Sequence, residues 1–279
     1  MSIIATREII AAIIEEINGL KKIIKTTKPC IAIVRVGNHG DDVTYEKAII
    51  KKFEQLNIKT QLCTCEIDIT NHLFLKLIKQ LNEDATIHGI IVLRPLPPHL
   101  DDDAIARKLD YTKDIDGLSY TNIARVFSQE NKGIVPCTPQ AIMRILNHLK
   151  IDLKGKNVTI VGAGMAVGRP LAIMMLNERA TLTVCRSLTK DLVKECRSAD
   201  ILIAAAGVKH LIKKKHVKPD AIVIDVGINV ENNKIYGDVA FDEVKDIASY
   251  ISKVPGGVGS ITTYVLALQL FKNLAFQNK

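Results

Sequence analysis

The chain has 279 residues, 47% hydrophobic and 4% aromatic, with a formal net charge of +8. This length predicts two domains or one large one with ordinary apolar cores. No apolar run suits a transmembrane helix, and the first residues lack the basic segment and cleavage site of a secretory signal, so we expect a cytoplasmic protein without a membrane partner. The lysine clusters lack a nucleic-acid motif and interleaved aromatic residues, which favours a solvated surface over nucleic-acid binding.

Helices and strands alternate through the first half of the chain. The apolar spacing predicts helices over 9–24, 45–56 and 71–81, the last with Asn71 as its N-cap. A buried strand is predicted over 30–36 and further strands over 59–65 and 89–93, and the prolines that follow end the last of them. This alternation predicts an α/β fold with a parallel sheet and right-handed crossovers.

The stretch 158–170 has the order strand, Gly-rich turn, helix. Residues 158–161 are a predicted buried strand, Gly162 and Gly164 follow at once, and a helical pattern begins near Ala166. Glycines let the backbone approach a dinucleotide pyrophosphate, and the helix N-terminus offers free N–H groups and a partial positive charge. The spacing is one residue longer than the usual fingerprint, so a tight turn that binds nothing is the alternative.

Further strands are predicted over 181–185, 201–207 and 221–227. Arg186 and Ser187 follow the first of these, and no acidic residue is available there to hold a ribose 2′-hydroxyl. A guanidinium and a hydroxyl suit a 2′-phosphate better, so NADP is favoured over NAD. A solvated charge at the strand end is the alternative for Arg186.

The six cysteines form no CxxC pair and no regular framework, so neither zinc nor disulfides are expected. The seven histidines are scattered singly, without the spacing of a metal-ligand set. We therefore expect reduced, structural thiols and no metal.

Several motifs carry a resemblance to a known family. They are KDIDG at 113–117, PCTP at 136–139 and VPGGVG at 254–259, with IVIDVGIN at 222–229, GDV at 237–239 and GRP at 168–170. In their order and spacing, the chain resembles the bifunctional methylenetetrahydrofolate dehydrogenase/methenyltetrahydrofolate cyclohydrolase (FolD) family over nearly its whole length. The resemblance implies a folate-binding catalytic domain (1–138 and 263–279), a Rossmann-type NAD(P)-binding domain (139–262), a cleft between them, and a homodimer.

The resemblance also implies an activity in one-carbon metabolism and a set of site residues. NADP would oxidise 5,10-methylenetetrahydrofolate to 5,10-methenyltetrahydrofolate, which water would open to 10-formyltetrahydrofolate. Tyr45 matches the tyrosine that packs on the folate, and Asp116 the carboxylate that binds its pterin ring; without the family, they would be an ordinary helix residue and a turn-capping aspartate. The remaining substrate contacts are Leu93, Pro255, Gly256, Gly257, Val258 and Gly259, and the cofactor contacts are Gly162, Ala163, Gly164, Arg186, Ser187 and Ile228.

Two departures from the family pattern coincide. The family's lysine, four residues after the tyrosine and on the same helical face, is Ile49 here, and its supporting glutamine is Leu93. Because isoleucine cannot orient water or exchange a proton, we predict a dehydrogenase whose cyclohydrolase step is weak or lost. Lys52, seven residues after Tyr45, is the alternative cation.

Two other interpretations stay open. The loss of two polar site residues also fits a non-catalytic paralogue that binds folate or cofactor without turnover. The chain could instead be a related Rossmann dehydrogenase with another substrate. Titration with NADP and then folate, followed by a turnover assay, separates the three.

Overall fold

The computed structural model of the chain describes residues 2–24, 28–38, 40–130, 134–232 and 234–277, with only the backbone at 41, 42, 276 and 277. The chain divides into two compact units. The first unit comprises residues 12–137 and 263–279, and the second comprises residues 1–11 and 138–262. The predicted catalytic domain included residues 1–11, which here belong to the second unit because they pair with one of its strands.

Strands and helices alternate over most of the described chain. In chain order the strands are β1 (Ser2–Ile3), β2 (Cys30–Val36), β3 (Lys59–Cys65), β4 (Gly89–Val92), β5 (Asn157–Val161), β6 (Thr181–Cys185), β7 (Ile201–Ala204), β8 (Ile222–Asp225), β9 (Asn229–Glu231), β10 (Lys234–Tyr236) and β11 (Tyr250–Ile251). The α-helices are α1 (Thr6–Ile23), α2 (Gly40–Gln55), α3 (Asn71–Glu83), α4 (Asp102–Lys108), α5 (Tyr120–Phe127), α6 (Cys137–His148), α7 (Gly168–Asn177), α8 (Leu192–Arg197), α9 (Phe241–Val244) and α10 (Val258–Gln277).

The first unit is built on a three-stranded parallel sheet in the order β3–β2–β4. All residues of the central strand β2 are buried, as expected for a parallel strand that is covered on both faces. After β4 ends, the N–H of Leu93 still donates to the carbonyl of Val34 at 2.9 Å. The chain therefore leaves β2 and β4 at the same edge of the sheet, where α2 follows β2 and Leu93 follows β4.

The second unit contains a six-stranded sheet in the order β1–β11–β8–β7–β5–β6, with parallel pairing throughout. Strand β5 lies between β6 and β7. The chain therefore passes from β5 to one side of the sheet at β6 and then crosses back over β5 to the other side at β7. Such a reversal opens a ligand-binding crevice at the carboxyl ends of the strands. Residues 1–11 belong to this unit because Ser2 and Ile3 pair with Tyr250 and Ile251.

Several predicted boundaries are wrong. Helix α2 begins at Gly40 rather than at 45, and α6 begins at Cys137, inside the motif that the sequence placed at a boundary. The N-cap of α3 is Thr70, whose hydroxyl accepts from the N–H of Leu73 at 3.3 Å. The side chain of Asn71, the predicted cap, instead accepts from the N–H of Asp101 at 3.1 Å.

Within the described residues, no helix combines the length and apolarity needed to cross a membrane. Their histidine, cysteine and acidic side chains form no cluster that could hold a metal ion. All six cysteines are free thiols.

Candidate active site

The three charged residues of the loop 113–117 have distinct surroundings. Lys113 is half-buried, and its ammonium donates to the carbonyls of Leu81, Asn82 and Asp84 at 3.1, 2.6 and 2.7 Å. These carbonyls lie at the end of α3, where helical partners are missing. Lys113 therefore caps α3 and anchors the loop.

Asp114 holds the loop together from inside. It is 1% exposed, and its carboxylate accepts from the N–H groups of Gly117 and Ser119 at 3.0 and 2.6 Å and from the amide of Asn122 at 3.0 Å. Gly117 has φ +74°, and a Cβ there would lie 2.7 Å from the backbone N of Pro136. Asp114 is thus structural, and the loop packs directly on the segment before α6.

Asp116 and Tyr45 are the two polar side chains predicted for the substrate site of the first unit. Burial and the negative charge of Asp114 raise the pKa of the Asp116 carboxyl to about 7, against the opposing effects of Arg94 and of hydrogen bonds from Cys137. Tyr45 is 38% exposed, and partial burial together with the charge of Asp116 raises its pKa far above the usual range. Tyr45 therefore offers a neutral hydroxyl beside a carboxyl that titrates near neutrality.

Cys137 is buried next to Asp116. It is 1% exposed, and its thiol donates to the carbonyl of Ile115 at 3.1 Å. Burial and the charge of Asp116 raise its pKa well above the usual value. The thiol is therefore a hydrogen-bond donor and not a nucleophile.

Ile49 and Leu93 lie in the apolar interior of the first unit. The two residues are 0% and 5% exposed. Both side chains are hydrocarbon, so neither position supplies a polar group. The ammonium of Lys52 lies 3.0 Å from the side-chain oxygen of Gln55 and 4.8 Å from the centre of the Tyr264 ring. Helix α2 therefore supplies the site with the Tyr45 hydroxyl, while Lys52 interacts elsewhere.

In the second unit, the Gly-rich turn after β5 can cradle a pyrophosphate. Gly162 has φ +112°, and a Cβ there would lie 2.1 Å from the carbonyl oxygen of Ala205. By contrast, a Cβ on the exposed Gly164 would meet nothing within 4 Å. Helix α7 starts without a side-chain cap. The N–H of Arg169 already donates to the carbonyl of Gly164 at 3.1 Å and Pro170 has no N–H, so of the first three helical residues only Gly168 can offer its N–H to a phosphate oxygen. These features fit the phosphates of a dinucleotide.

The other predicted cofactor residues follow neighbouring strands of the same sheet. Arg186 and Ser187 are exposed immediately after β6, where the N–H of Arg186 donates to the hydroxyl of Thr189 at 2.8 Å. Ile228, which follows β8 by three residues, is 61% exposed. Ala163 is half-buried within the turn after β5. All of them therefore lie near the carboxyl ends of parallel strands.

The segment 255–259, predicted to be a loop, is only partly one. Helix α10 begins at Val258, so Val258 and Gly259 belong to its first turn. Pro255 and Gly256 are exposed, and a Cβ on Gly257 would lie 2.3 Å from the carbonyl oxygen of Lys253. Glycine is thus required at 257 by packing alone, and contact of these residues with folate stays a prediction.

Two family models match the chain. The model described as tetrahydrofolate dehydrogenase/cyclohydrolase, catalytic domain, matches residues 4–116, and that of the NAD(P)-binding domain matches residues 136–278. The chain belongs to this family. The FolD family thus accounts for both units and confirms the predicted two-domain α/β fold.

FolD sequences and structures from other organisms match most of the chain. The bifunctional protein FolD of Clostridium botulinum (strain Langeland) is 45% identical over 87% of this chain and 86% of the relative. That of Alkaliphilus metalliredigens is 43% identical over 95% and 93%. The crystal structure of the bifunctional FolD enzyme from Campylobacter jejuni has a TM-score of 0.94 at 39% identity and covers 99% of both chains. The FolD of Trypanosoma brucei, complexed with NADP and an inhibitor, has a TM-score of 0.89 at 32% identity and covers 98% of this chain and 95% of its own.

Three charged residues near the candidate site of this FolD member were not predicted from its sequence. Arg35 and Glu46 form an ion pair of 2.8 Å with side chains 9% and 7% exposed. Arg94, whose charge opposes the rise in the pKa of Asp116, is paired with Asp102 at 2.7 Å. The available signal was an arginine inside an otherwise apolar strand, which requires a buried partner.

Proposed function

We propose that this protein oxidises 5,10-methylenetetrahydrofolate to 5,10-methenyltetrahydrofolate with NADP and does not hydrolyse the product efficiently. The proposal rests on a contrast in burial between two residues of helix α2. Tyr45 is partly exposed and lies near Asp116, whereas Ile49 at the family's lysine position is fully buried.

The groups that remain are sufficient for oxidation. Asp116, when ionised, accepts N–H donors from a pterin ring, and Tyr45 donates a hydrogen bond near the reacting carbon. Loss of a hydride leaves a cation that the two adjacent folate nitrogens stabilise, so the protein mainly has to position the substrate. No proton-transfer group from Ile49 or Leu93 is needed for this step.

NADP, when bound, supplies the hydride acceptor. Gly162, Ala163 and Gly164 would hold its pyrophosphate together with the N-terminus of α7. Arg186 and Ser187 would hold the 2′-phosphate, since both are exposed after β6 and a guanidinium pairs well with phosphate. Ile228 would contribute an apolar contact from its exposed position.

Hydrolysis needs more than positioning. Water must be activated as it attacks the methenyl carbon, and general acid–base groups typically contribute factors of about 100 to 10,000 to such steps. The buried side chains of Ile49 and Leu93 offer neither a proton donor nor an acceptor. The hydrolytic step is therefore expected to lose most of its catalysis.

We also propose a cytoplasmic homodimer. Six free thiols suit a reducing compartment. Strand β6 lies at the edge of its sheet, and Val184 within it and Leu188 after it are 41% and 92% exposed. Pairing through this edge would cover them, and sedimentation of the purified protein tests the dimer.

The direct test is NADP reduction by the purified chain with 5,10-methylenetetrahydrofolate. The proposal predicts saturable NADPH formation, with weaker turnover when NAD replaces NADP. A protein that binds both ligands in titrations but forms no NADPH would be the non-catalytic paralogue, which the loss of two polar side chains favours. Binding of NADP without any binding of folate would indicate another substrate.

A further inference from the structure

A buried ion pair joins the central strand of the first unit to the helix that carries Tyr45. Arg35 in β2 and Glu46 in α2 are 7% and 5% exposed, and Nε of the arginine donates to Oε2 of the glutamate at 2.8 Å. The guanidinium also donates through Nη1 to the carbonyl of Gly37 and, at 2.6 Å, to Oδ1 of Asn38. One side chain thus links the strand, the turn after it and the helix.

Stability alone does not account for this arrangement. The desolvation of two buried charges cancels much of their attraction, and well-packed apolar residues in their place are often as stable. The pair instead fixes the orientation of α2 relative to β2, because a guanidinium is planar and its donors point along fixed lines. Apolar packing has no comparable directionality.

We propose that Arg35 and Glu46 are positioning residues that fix the rotation of α2 and so aim the hydroxyl of Tyr45 toward Asp116. Adjacent helical residues differ by about 100° around the axis. Holding Glu46 against β2 therefore turns Tyr45 toward the open side, where it is 38% exposed. The inference rests on the proposed function, since Tyr45 has to contact folate for its direction to matter.

The other anchors of α2 are apolar or lie at its ends. Ile49 and Phe53 are fully buried on its inner face. The hydroxyl of Thr44 donates to the carbonyl of Gly40 at 2.7 Å, a bond within the helix itself. Ile49 lies one turn after Tyr45 on the same helical face and also holds this part of the helix, while the ion pair is the directional contact directly beside Tyr45.

The test compares Glu46→Gln, Glu46→Leu and the double variant Arg35→Leu/Glu46→Leu with wild type. Glu46→Gln and the double variant should each lower kcat/KM for 5,10-methylenetetrahydrofolate by about tenfold or more, as expected for a misplaced contact group. Both should also weaken the affinity for tetrahydrofolate in calorimetry and leave that for NADP unchanged. The double variant should regain thermal stability lost in Glu46→Leu without regaining kcat/KM.

Two results would overturn the inference. The first is a Glu46→Gln variant with the kcat/KM and the tetrahydrofolate affinity of wild type. The second is a double variant that recovers kcat/KM and tetrahydrofolate affinity together with its thermal stability. Lys79→Met is the matched control, because Lys79 forms an exposed ion pair of 3.6 Å with Glu83 on α3, and it should leave both values unchanged. A wild-type protein without NADP reduction would refute the proposed function instead. Tetrahydrofolate affinity would then still decide whether the pair positions Tyr45.

Discussion

Asp114 and Asp116 are separated by one residue, yet their carboxyl groups have different surroundings. Asp114 is 1% exposed and accepts hydrogen bonds from Gly117, Ser119 and Asn122. Asp116 is half-buried, and burial followed by the charge of Asp114 raises its pKa to about 7. The structural aspartate thereby tunes its neighbour, which we propose to bind substrate.

Folate affinity should therefore depend on pH through Asp116. Raising the pH through about 7 ionises this carboxyl and creates an acceptor for pterin N–H groups, so the Kd for tetrahydrofolate should fall between pH 6 and pH 8. Asp116→Asn should bind about tenfold or more weakly, through loss of a charge-assisted hydrogen bond, and should lose the pH dependence. Calorimetric titrations at several pH values measure both. An equal pH dependence in the variant would contradict the assignment.

The same carboxyl should affect folding stability in the opposite direction. Its pKa rises from the ordinary aspartate value of 3.8 to about 7 in the folded chain, so the folded state holds the proton more tightly than the unfolded state. Its contribution to stability should decrease as the pH rises from about 4 to about 7, and Asp116→Asn should remove that decrease. Asp114→Asn is the contrast, because it disturbs a buried acceptor and should cost about 1–3 kcal/mol. Urea unfolding across this pH range compares the three proteins.

Restoring the two family side chains should restore hydrolysis. Ile49→Lys alone places an ammonium in a fully buried position and should lower the stability and the pKa of the new lysine. Adding Leu93→Gln supplies a polar neighbour. The double variant should then hydrolyse methenyltetrahydrofolate at least about tenfold faster than wild type, within the range of acid–base catalysis. The decay of methenyl absorbance measures the rate, and a double variant that folds and binds folate without any gain would contradict this account.

Two glycines of the turn after β5 should respond differently to alanine. Gly162→Ala places a Cβ 2.1 Å from the carbonyl oxygen of Ala205 at φ +112° and should cost more than about 1 kcal/mol of stability. Gly164→Ala meets nothing within 4 Å and should fold normally. Its methyl group should nevertheless obstruct the pyrophosphate and weaken NADP binding by about tenfold, or 1.4 kcal/mol. Thermal unfolding and NADP titration together distinguish these effects.

Arg186 should decide between the two nicotinamide cofactors. Arg186→Ala removes an exposed guanidinium and should leave stability unchanged, while NADP affinity falls by about 10- to 100-fold, as for a hydrogen bond to a charged group. NAD affinity should change little. Lys190→Ala, an exposed cation four residues later, is the control. Equal losses in both variants would indicate general charge attraction rather than a specific contact.

The bounds of β2, β3 and β6 follow from the sequence because each is a short run with clear ends. Helix α2 was predicted to start too late, since its first residues, Gly40 to Thr44, have low intrinsic helix propensity. Strand β1 pairs with β11, about 250 residues later, and local patterns carry no information about such pairing. The compact units therefore differ from the predicted domains at residues 1–11, although the catalytic-domain family model begins at residue 4.

The motifs placed Asp116 in a loop and Gly162 in the turn after β5, where the structure also has them, and their contacts with ligands stay predictions. The roles inside a motif were not predictable, because Lys113 and Asp114 are polar residues whose buried partners come from other elements. Arg35 and Glu46 were missed for a related reason. Each is a single charge in an otherwise ordinary pattern, and only the packing of β2 against α2 brings them together.

The most direct measurement follows NADPH and methenyltetrahydrofolate together after 5,10-methylenetetrahydrofolate and NADP are mixed with the wild-type protein. The two products should form in equal amounts and at equal rates, and methenyltetrahydrofolate should then decay only as fast as it does in buffer. NADPH formation with little accumulated methenyltetrahydrofolate, matched by 10-formyltetrahydrofolate, would show that the chain hydrolyses its own product and would contradict the account.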